Sequence, residues 1–287
     1  MSVIRTFVRI TIFEPRRSVN QGAAVLANER QQMPISASDP DFVTALARGL
    51  ELISAFGPRT ETLTIAQAAT STGLSRGTAR RLLLTLESLG FVRQDAKAFA
   101  LTPKALVLGY AYLSSIPLWE VAQPVMRRVV EELDQSCAMG VLDGRDVVYI
   151  ARTPPSHLSF LPTKPGTRMP AHVNAMGQIL LAQLPEEAVD DYFRNTRLEK
   201  LTRFTLDDEM EIRKALKKAA HDGYAISDRQ IQTGIRSIAI AVPNRFGRPQ
   251  VAINASASES LASKQDLVQR FLPVLRRAAA EIGHAMA

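Results

Sequence analysis

Between Ser75 and Arg81 the chain gathers short hydroxyl side chains, a glycine and three arginines: Ser75, Arg76, Gly77, Thr78, Arg80 and Arg81. Arginine pairs bidentately with guanine, and serine or threonine reaches a base edge or a phosphate. Such residues at a helix start suit entry into a major groove, and the helix N-terminus itself favours phosphate. Arg93 and Lys97 follow, where contacts to backbone phosphate position a domain without reading sequence. Thr64, opening the preceding helix, completes the candidate DNA-binding set. The competing reading is a solvated arginine face on an ordinary three-helix domain.

Groups that would serve catalysis are scattered. The histidines, His157, His172, His221 and His284, fall at no metal-ligand spacing, and the single cysteine, Cys137, has no partner nearby. No nucleophile elbow and no phosphate-cradling glycine loop is expected. Asp207 and Asp208 stand at a predicted helix start, where carboxylates stabilise the dipole, so they read as caps and not as acid and base. The expectation is a protein that is not an enzyme and holds neither cofactor nor metal.

The elements needed to position the arginines are readable from periodicity. Asp41 to Phe56 recurs at helical spacing and stops at Gly57-Pro58. Thr64 caps a short helix, Ile65 to Thr70; Gly73 makes the turn; Ser75 caps a second helix to about Leu89. Ile65, Ala68, Ala69, Leu74, Ala79, Leu82, Leu83 and Leu86 form the predicted small core. Phe91 to Thr102 alternates as a two-stranded hairpin with its tip at Asp95 to Ala98. Together these make a winged helix-turn-helix.

Beyond it the pattern changes. Helices are predicted over Lys104 to Ser115 and Leu118 to Leu133. Strands are predicted over Cys137 to Leu142, Val147 to Arg152 and His157 to Leu161. Gly166 to Pro170 reads as a loop and Ala175 to Leu184 as a helix. Two more helices follow, Glu186 to Arg194 and Asp207 to His221, the second opened by a capping box of Thr205 and Asp208. Strands at Tyr224 to Asp228, Ser237 to Pro243 and Gln250 to Ser256 precede a closing helix, Leu261 to Met286. This order implies an α+β domain.

Length suits two modest domains, and 46% hydrophobic residues can fill two cores. The formal net charge of +7 permits a polyanionic partner. No run of apolar residues is long enough to span a membrane, the first residues do not resemble a signal peptide, and one cysteine fits a reducing cytoplasm. Residues 1–39 read as an extension: a flexible arm, a basic arm touching DNA, or an upstream start with Met33 opening a more compact protein.

The run Thr64-Ile-Ala-Gln-Ala-Ala-Thr-Ser-Thr-Gly-Leu-Ser-Arg-Gly-Thr-Ala-Arg-Arg-Leu-Leu-Leu-Thr-Leu-Glu-Ser-Leu-Gly90 resembles the winged helix-turn-helix of IclR-type regulators. Gly166-Thr-Arg-Met-Pro-Ala-His-Val-Asn-Ala-Met-Gly177 resembles that family's effector-domain loop and helix start, and Gly234 to Pro243 with Val251 to Ser256 its paired late strands. The Gly-Thr-Arg-Met-Pro loop is most similar to the PcaR/PcaU/PobR branch, which senses aromatic acids of the β-ketoadipate pathway. Gln178 departs from the pattern, since members often carry Lys or Arg there.

The resemblance implies a winged helix-turn-helix over residues 40–102, a linker helix over 103–117 and a GAF-like effector and oligomerisation domain over 118–287. It implies dimers, which pair into tetramers in some members, on double-stranded operator DNA, and a small organic acid as effector. It places the effector against Ala175, Met176, Ser227, Ile235, Ser237, Asn254 and Ser256. Asn254 and Ser256 fall on one strand face by alternation, and the helix start at Asn174 to Met176 offers free N–H groups to a carboxylate. Arg152 and Arg168 are candidate carboxylate partners, and His157 and His172 candidate partners of a phenol. Two rivals stand beside an aromatic-acid regulator: a regulator of the same family for a non-aromatic acid, and a small-molecule-binding or enzymatic domain whose basic module contacts protein.

Overall fold

A computed structural model describes residues 37–57, 60–115, 119–155, 163–243 and 251–285. The extension over residues 1–36 and the strand expected at His157 to Leu161 therefore lie outside the described residues. The chain divides into two compact units between Ala105 and Leu106.

In the first unit, α1 (Thr44–Ser54) buries Leu52. The helix-turn-helix proper is α2 (Ile65–Thr72) and α3 (Arg76–Ser88). Thr64 opens α2 with a reciprocal box: its hydroxyl accepts from the Gln67 N–H at 3.3 Å, and the Gln67 side chain accepts from the Thr64 N–H at 2.9 Å. Gly73 ends α2 with φ at +65°, a left-handed conformation that costs glycine least. Ser75 then opens α3, its hydroxyl accepting from the Thr78 N–H at 3.2 Å.

The wing has one strand more than predicted. β2 (Val92–Asp95) and β3 (Ala98–Leu101) form the hairpin, and β1 (Thr62–Thr64) adds to the far side of β3. Leu63 pairs opposite Phe99, and both are buried in one core with Leu52, Ala68, Ala79 and Leu83. Leu74 was expected in that core but is only half-buried, because it sits in the turn.

The second unit is a six-stranded antiparallel sheet between helical layers, an α+β fold. Its strands are β4 (Ser136–Asp143), β5 (Asp146–Thr153), β6 (Arg168–Pro170), β7 (Ala225–Asp228), β8 (Ile235–Ala241) and β9 (Val251–Ser258), in spatial order β6-β5-β4-β9-β8-β7. On one face pack α5 (Trp119–Leu133) and the last helix, α10 (Leu272–Ala285). On the other lie α6 (Ala175–Leu181), α7 (Glu186–Asn195) and α8 (Glu209–Asp222). Strand alternation divides β9 between the layers: Ile253 and Ala255 join the α5/α10 core, whereas Ala252 joins the α6 core.

Several local expectations are corrected. Lys104 lies in a 3-10 turn, Pro103–Ala105, before α4 (Leu106–Ser115). Arg168–Pro170 is not loop but β6, paired with β5. Asp208, not Thr205, caps α8, accepting from the Glu211 N–H at 3.0 Å; Thr205 is buried and donates to the Gln230 carbonyl at 2.7 Å. The closing helix is segmented into α9 (Lys264–Asp266), a π-helical turn at Leu267–Phe271 and α10. The wider turn ends just before Pro273, which has no N–H to donate.

Candidate DNA-reading helix and effector cavity

Arg76, Arg80 and Arg81 are all exposed on α3, as are Gly77 and the wing residues Arg93 and Lys97. Arg76 and Arg80 stand one helical turn apart and therefore share a face. A Cβ on Gly77 would meet nothing closer than the Ser75 hydroxyl at 3.9 Å, so its surroundings are open to an approaching backbone. The Glu87 carboxylate accepts from the Gln94 N–H at 3.1 Å and ties the wing to α3.

Not every residue of the predicted set is available. The Ser75 hydroxyl caps α3 and lies 2.9 Å from the Thr78 hydroxyl, and the Thr64 hydroxyl is held in its own cap. Their first role is to fix the helix starts, each worth about 1 kcal/mol. Gly73-Leu-Ser-Arg-Gly77 does spell Gly-x-Ser-x-Gly, against expectation. A nucleophile elbow needs a strand before its serine; here α2 precedes it, so the pattern reads as a cap.

In the second unit a small cavity opens beside β4, β5 and β9, lined by Gln135, Ser136, Ala138, Tyr149, Arg152, Pro155, Thr163, Ile235, Asn254, Ser256 and Ala257. Of the predicted effector residues it gathers Arg152, Ile235, Asn254 and Ser256. Its free space is about 20 Å³, room for one water. The Arg152 guanidinium donates to the Ser136 hydroxyl and the Thr163 carbonyl, both at 3.2 Å. Burial lowers its pKa, yet an arginine stays charged, so the wall carries a cation. Asn254 is 3% exposed and donates to the Ser256 hydroxyl at 3.3 Å, while its Oδ1 is buried with no partner among the described residues.

Ala175, Met176, Ser227, Ser237 and His172 do not line this cavity. Ala175 and Met176 are buried in the α6 core. The Met176 N–H is not free: the Asn174 side chain accepts from it at 2.9 Å and donates to the Tyr149 hydroxyl at 3.0 Å. Ser227 donates to the Val173 carbonyl at 2.6 Å. Ser136, Ser256, Ser237 and Ser227 lie in register across β4, β9, β8 and β7, so Ser237 belongs to the row of which Ser256 is the cavity end. His172 is fully buried, 3.0 Å from the Tyr192 hydroxyl, and burial lowers its pKa. Gln178, the departure from the family pattern, is buried and donates to the His172 carbonyl at 2.8 Å. Arg168 is spent on Asp143 and Asp146 at the sheet edge. His157 lies outside the described residues. Cys137 is buried, and burial pushes its thiol well above the usual range, leaving it inert.

Sequence reading missed Gln135, Ser136, Tyr149 and Thr163. Only the Ser136–Ser256 pairing brings the first two to the cavity, and strand register is not written in either strand alone. Tyr149, a hydroxyl within an apolar strand, was the one available signal.

A helix-turn-helix with an arginine face, joined to an α+β unit holding a cation-bearing cavity, defines a ligand-responsive DNA-binding regulator. Residues 45–96 match the IclR helix-turn-helix domain, and residues 110–284 match the C-terminal domain of the bacterial transcriptional regulator IclR. The chain belongs to the IclR family of transcriptional regulators. It is 35% identical over 276 residues to the Pca regulon regulatory protein of Pseudomonas putida, covering 95% of each chain. It is 33% identical over 247 residues to the p-hydroxybenzoate hydroxylase transcriptional activator of Acinetobacter baylyi, covering 84% of this chain and 91% of that one. The second unit is similar to the inducer-binding domain of the PobR transcription factor from Acinetobacter, a double mutant solved with 3-hydroxybenzoic acid, with TM-score 0.54, 28% identity, and coverage of 57% and 95%.

Proposed function

We propose that this chain is a one-component, non-enzymatic regulator of genes for aromatic acid breakdown. It works in the cytoplasm, reads duplex operator DNA as a two-fold dimer or a tetramer, and takes a hydroxylated aromatic acid as effector. Residues 40–102 contact DNA, 103–117 link, and 118–287 sense. Arg76, Arg80 and Arg81 read bases or phosphates, and Arg93 and Lys97 hold the backbone. Arg152 receives the effector's carboxylate. The observation that carries the effector reading is Asn254 Oδ1: a buried acceptor without a partner among the described residues, on a side chain that lines the same cavity as a cation, suits an acid that also carries a hydroxyl. Two of the named relatives bear on this class: one is a p-hydroxybenzoate hydroxylase transcriptional activator, and one is an inducer-binding domain solved with 3-hydroxybenzoic acid.

Self-association is supported by exposed apolar surface on both units. Leu46 and Leu50 on α1 and Val43 just before it are exposed, as are Leu106, Val107, Leu108 and Tyr110 on α4. A second copy would cover them. Effector binding changes operator affinity only insofar as the acid favours one arrangement of the dimer.

Fluorescence anisotropy with DNA from upstream of the gene tests the operator reading. Tight, salt-sensitive and sequence-selective binding is expected, and salt-sensitive binding without selectivity would reject it. A thermal-shift screen tests the effector. Protocatechuate or a hydroxybenzoate at a hundredfold Kd should add about 2.7 kcal/mol, hence about 5 °C or more. The narrowness of the cavity favours one rival, a short non-aromatic acid; a shift with a 2-oxo acid and none with any aromatic would establish that rival.

A further inference from the structure

Strict alternation would put Tyr149 and Arg152, three positions apart on β5, on opposite faces of the sheet. A bulge prevents it. β4 pairs Gly140 with Tyr149 and Met139 with Ala151, so Ile150 is left over between them. Ile150 and Ala151 both turn into the α5/α10 core, while Tyr149 packs on the α6 side. The extra residue therefore brings a phenol and a guanidinium to the wall of one cavity.

Tyr149 is buried, and its hydroxyl is held by one neighbour. Asn174 stands at the start of α6, its Oδ1 accepting from the Met176 N–H at 2.9 Å. Only an oxygen can take that proton, so the amide Nδ2 faces the other way and donates to the Tyr149 hydroxyl at 3.0 Å. Among the described residues this is the one hydrogen bond at that hydroxyl. Burial raises the Tyr149 pKa against the opposing effects of the Asn174 bond and the Arg152 charge, so the phenol keeps its proton at neutral pH. A hydroxyl that accepts from Asn174 has that proton left to give. Asn254 Oδ1, on another wall, has the reverse need: it is an acceptor with no donor among the described residues.

A carboxylate accepts but cannot donate, and a bare ring does neither. A ligand hydroxyl does both. We propose that Tyr149, aimed by Asn174, is a specificity-determining residue that reads a hydroxyl on the effector ring together with Asn254: Tyr149 donates to the hydroxyl oxygen, and the hydroxyl donates to Asn254 Oδ1. Arg152 is left for the carboxylate. The assignment rests on the effector reading above and adds to it the residue that rejects an acid without the hydroxyl. Plain benzoate in this cavity strands a buried donor and a buried acceptor, and a site built to bond a hydroxyl discriminates most strongly against the analogue that lacks it.

The test is isothermal titration of the full chain with benzoate, 3-hydroxybenzoate, 4-hydroxybenzoate and protocatechuate. Wild type should bind at least one hydroxylated acid ~10-fold or more tighter than benzoate. Tyr149→Phe keeps the ring and should bring that acid down to the affinity of benzoate, with benzoate itself bound as well as before or better. Asn174→Ser keeps an oxygen to cap α6 but removes the amide that aims Tyr149, and should lose part of the preference. Far-UV circular dichroism checks that both variants fold. A wild type that binds none of these acids would reject the effector reading, and this assignment with it. Binding by wild type without preference over benzoate, or full preference kept in either variant, would overturn the assignment of Tyr149 alone. So would an equal loss of benzoate and hydroxylated acids in Tyr149→Phe, which would leave that hydroxyl a purely structural role.

Discussion

Arg76 and Asn254 represent the two kinds of residue on which this protein depends, one exposed and one almost fully buried. Arg76→Ala should weaken operator binding by ~1–3 kcal/mol and relax preference at one base position, whereas Lys97→Ala should weaken all sequences equally and reduce the salt slope by about 1. Anisotropy titrations at two salt concentrations separate these. If Arg76→Ala leaves affinity unchanged, Arg76 is a bystander. Asn254→Leu keeps the approximate volume and removes the orphan acceptor. It should abolish the thermal shift with hydroxylated acids while leaving operator affinity intact; a surviving shift moves the effector elsewhere. The two residues differed in how readable they were. Arg76 follows a serine cap within a few residues, so its position on a helix start is local information. Asn254 was picked out as a polar residue in an apolar strand, and alternation put Ser256 beside it. Arg152 needed the pairing of β4 with β5 to bring it there, where its partner Ala138 lies across from Asn254.

At the scale of elements, α6 is the most constrained. All seven of its residues are buried, and it rests on the backbone just before it. A Cβ on Gly177 would fall 2.2 Å from the Ala171 carbonyl oxygen and 2.5 Å from its Cα, contacts that no rotamer can relieve. Gly177→Ala should therefore lower the stability of the second unit by ~1–3 kcal/mol or more, read as a fall in the urea midpoint with unchanged slope. An unaltered midpoint would mean that α6 can lift off its support freely. Elements with a cap and a full turn of periodicity were legible: α2, α3 and α8 all begin within a few residues of where their polar caps predict. The short strands were not. β1 and β6 hold three residues each, too few to show alternation, and they exist because a neighbour's edge offers hydrogen bonds. Thr205 looked like a cap because its spacing to Asp208 is right; tertiary contact with the Gln230 carbonyl won instead.

For the whole molecule, acid stability turns on Asp228, which binds β7 to β8 and α9 through Arg236 at 2.6 Å and Lys264 at 3.0 Å, with Arg229 at 3.2 Å. Burial alone would raise its pKa, but these cations outweigh burial and hold it at about 2. The folded value lies below the unfolded one, so the stabilisation is complete above about pH 4 and is lost as pH falls toward 2. Its upper size is about 2 kcal/mol. Asp228→Asn should cost up to that much at pH 7 and about a third of it near pH 2.5, measured by urea unfolding at both; a gap independent of pH would assign the effect to packing. Neither the number of units nor the helix-turn-helix required the structure, since length, the change of pattern beyond Thr102 and local caps show both. The ion pairs Arg128–Glu281 and Arg277–Glu132 did, because two segments far apart in sequence meet only when α5 and α10 pack. The narrowness of the cavity carries a pharmacological consequence. A ring needs on the order of 100 Å³ more than the space present, so an aromatic acid taken at the proposed site has to displace the side chains around Arg152, whereas an acid as small as formate displaces far less. Such a molecule would occupy the proposed sensor with little change of its shape, and small acids would then behave as competitive antagonists of the inducer instead of weak inducers.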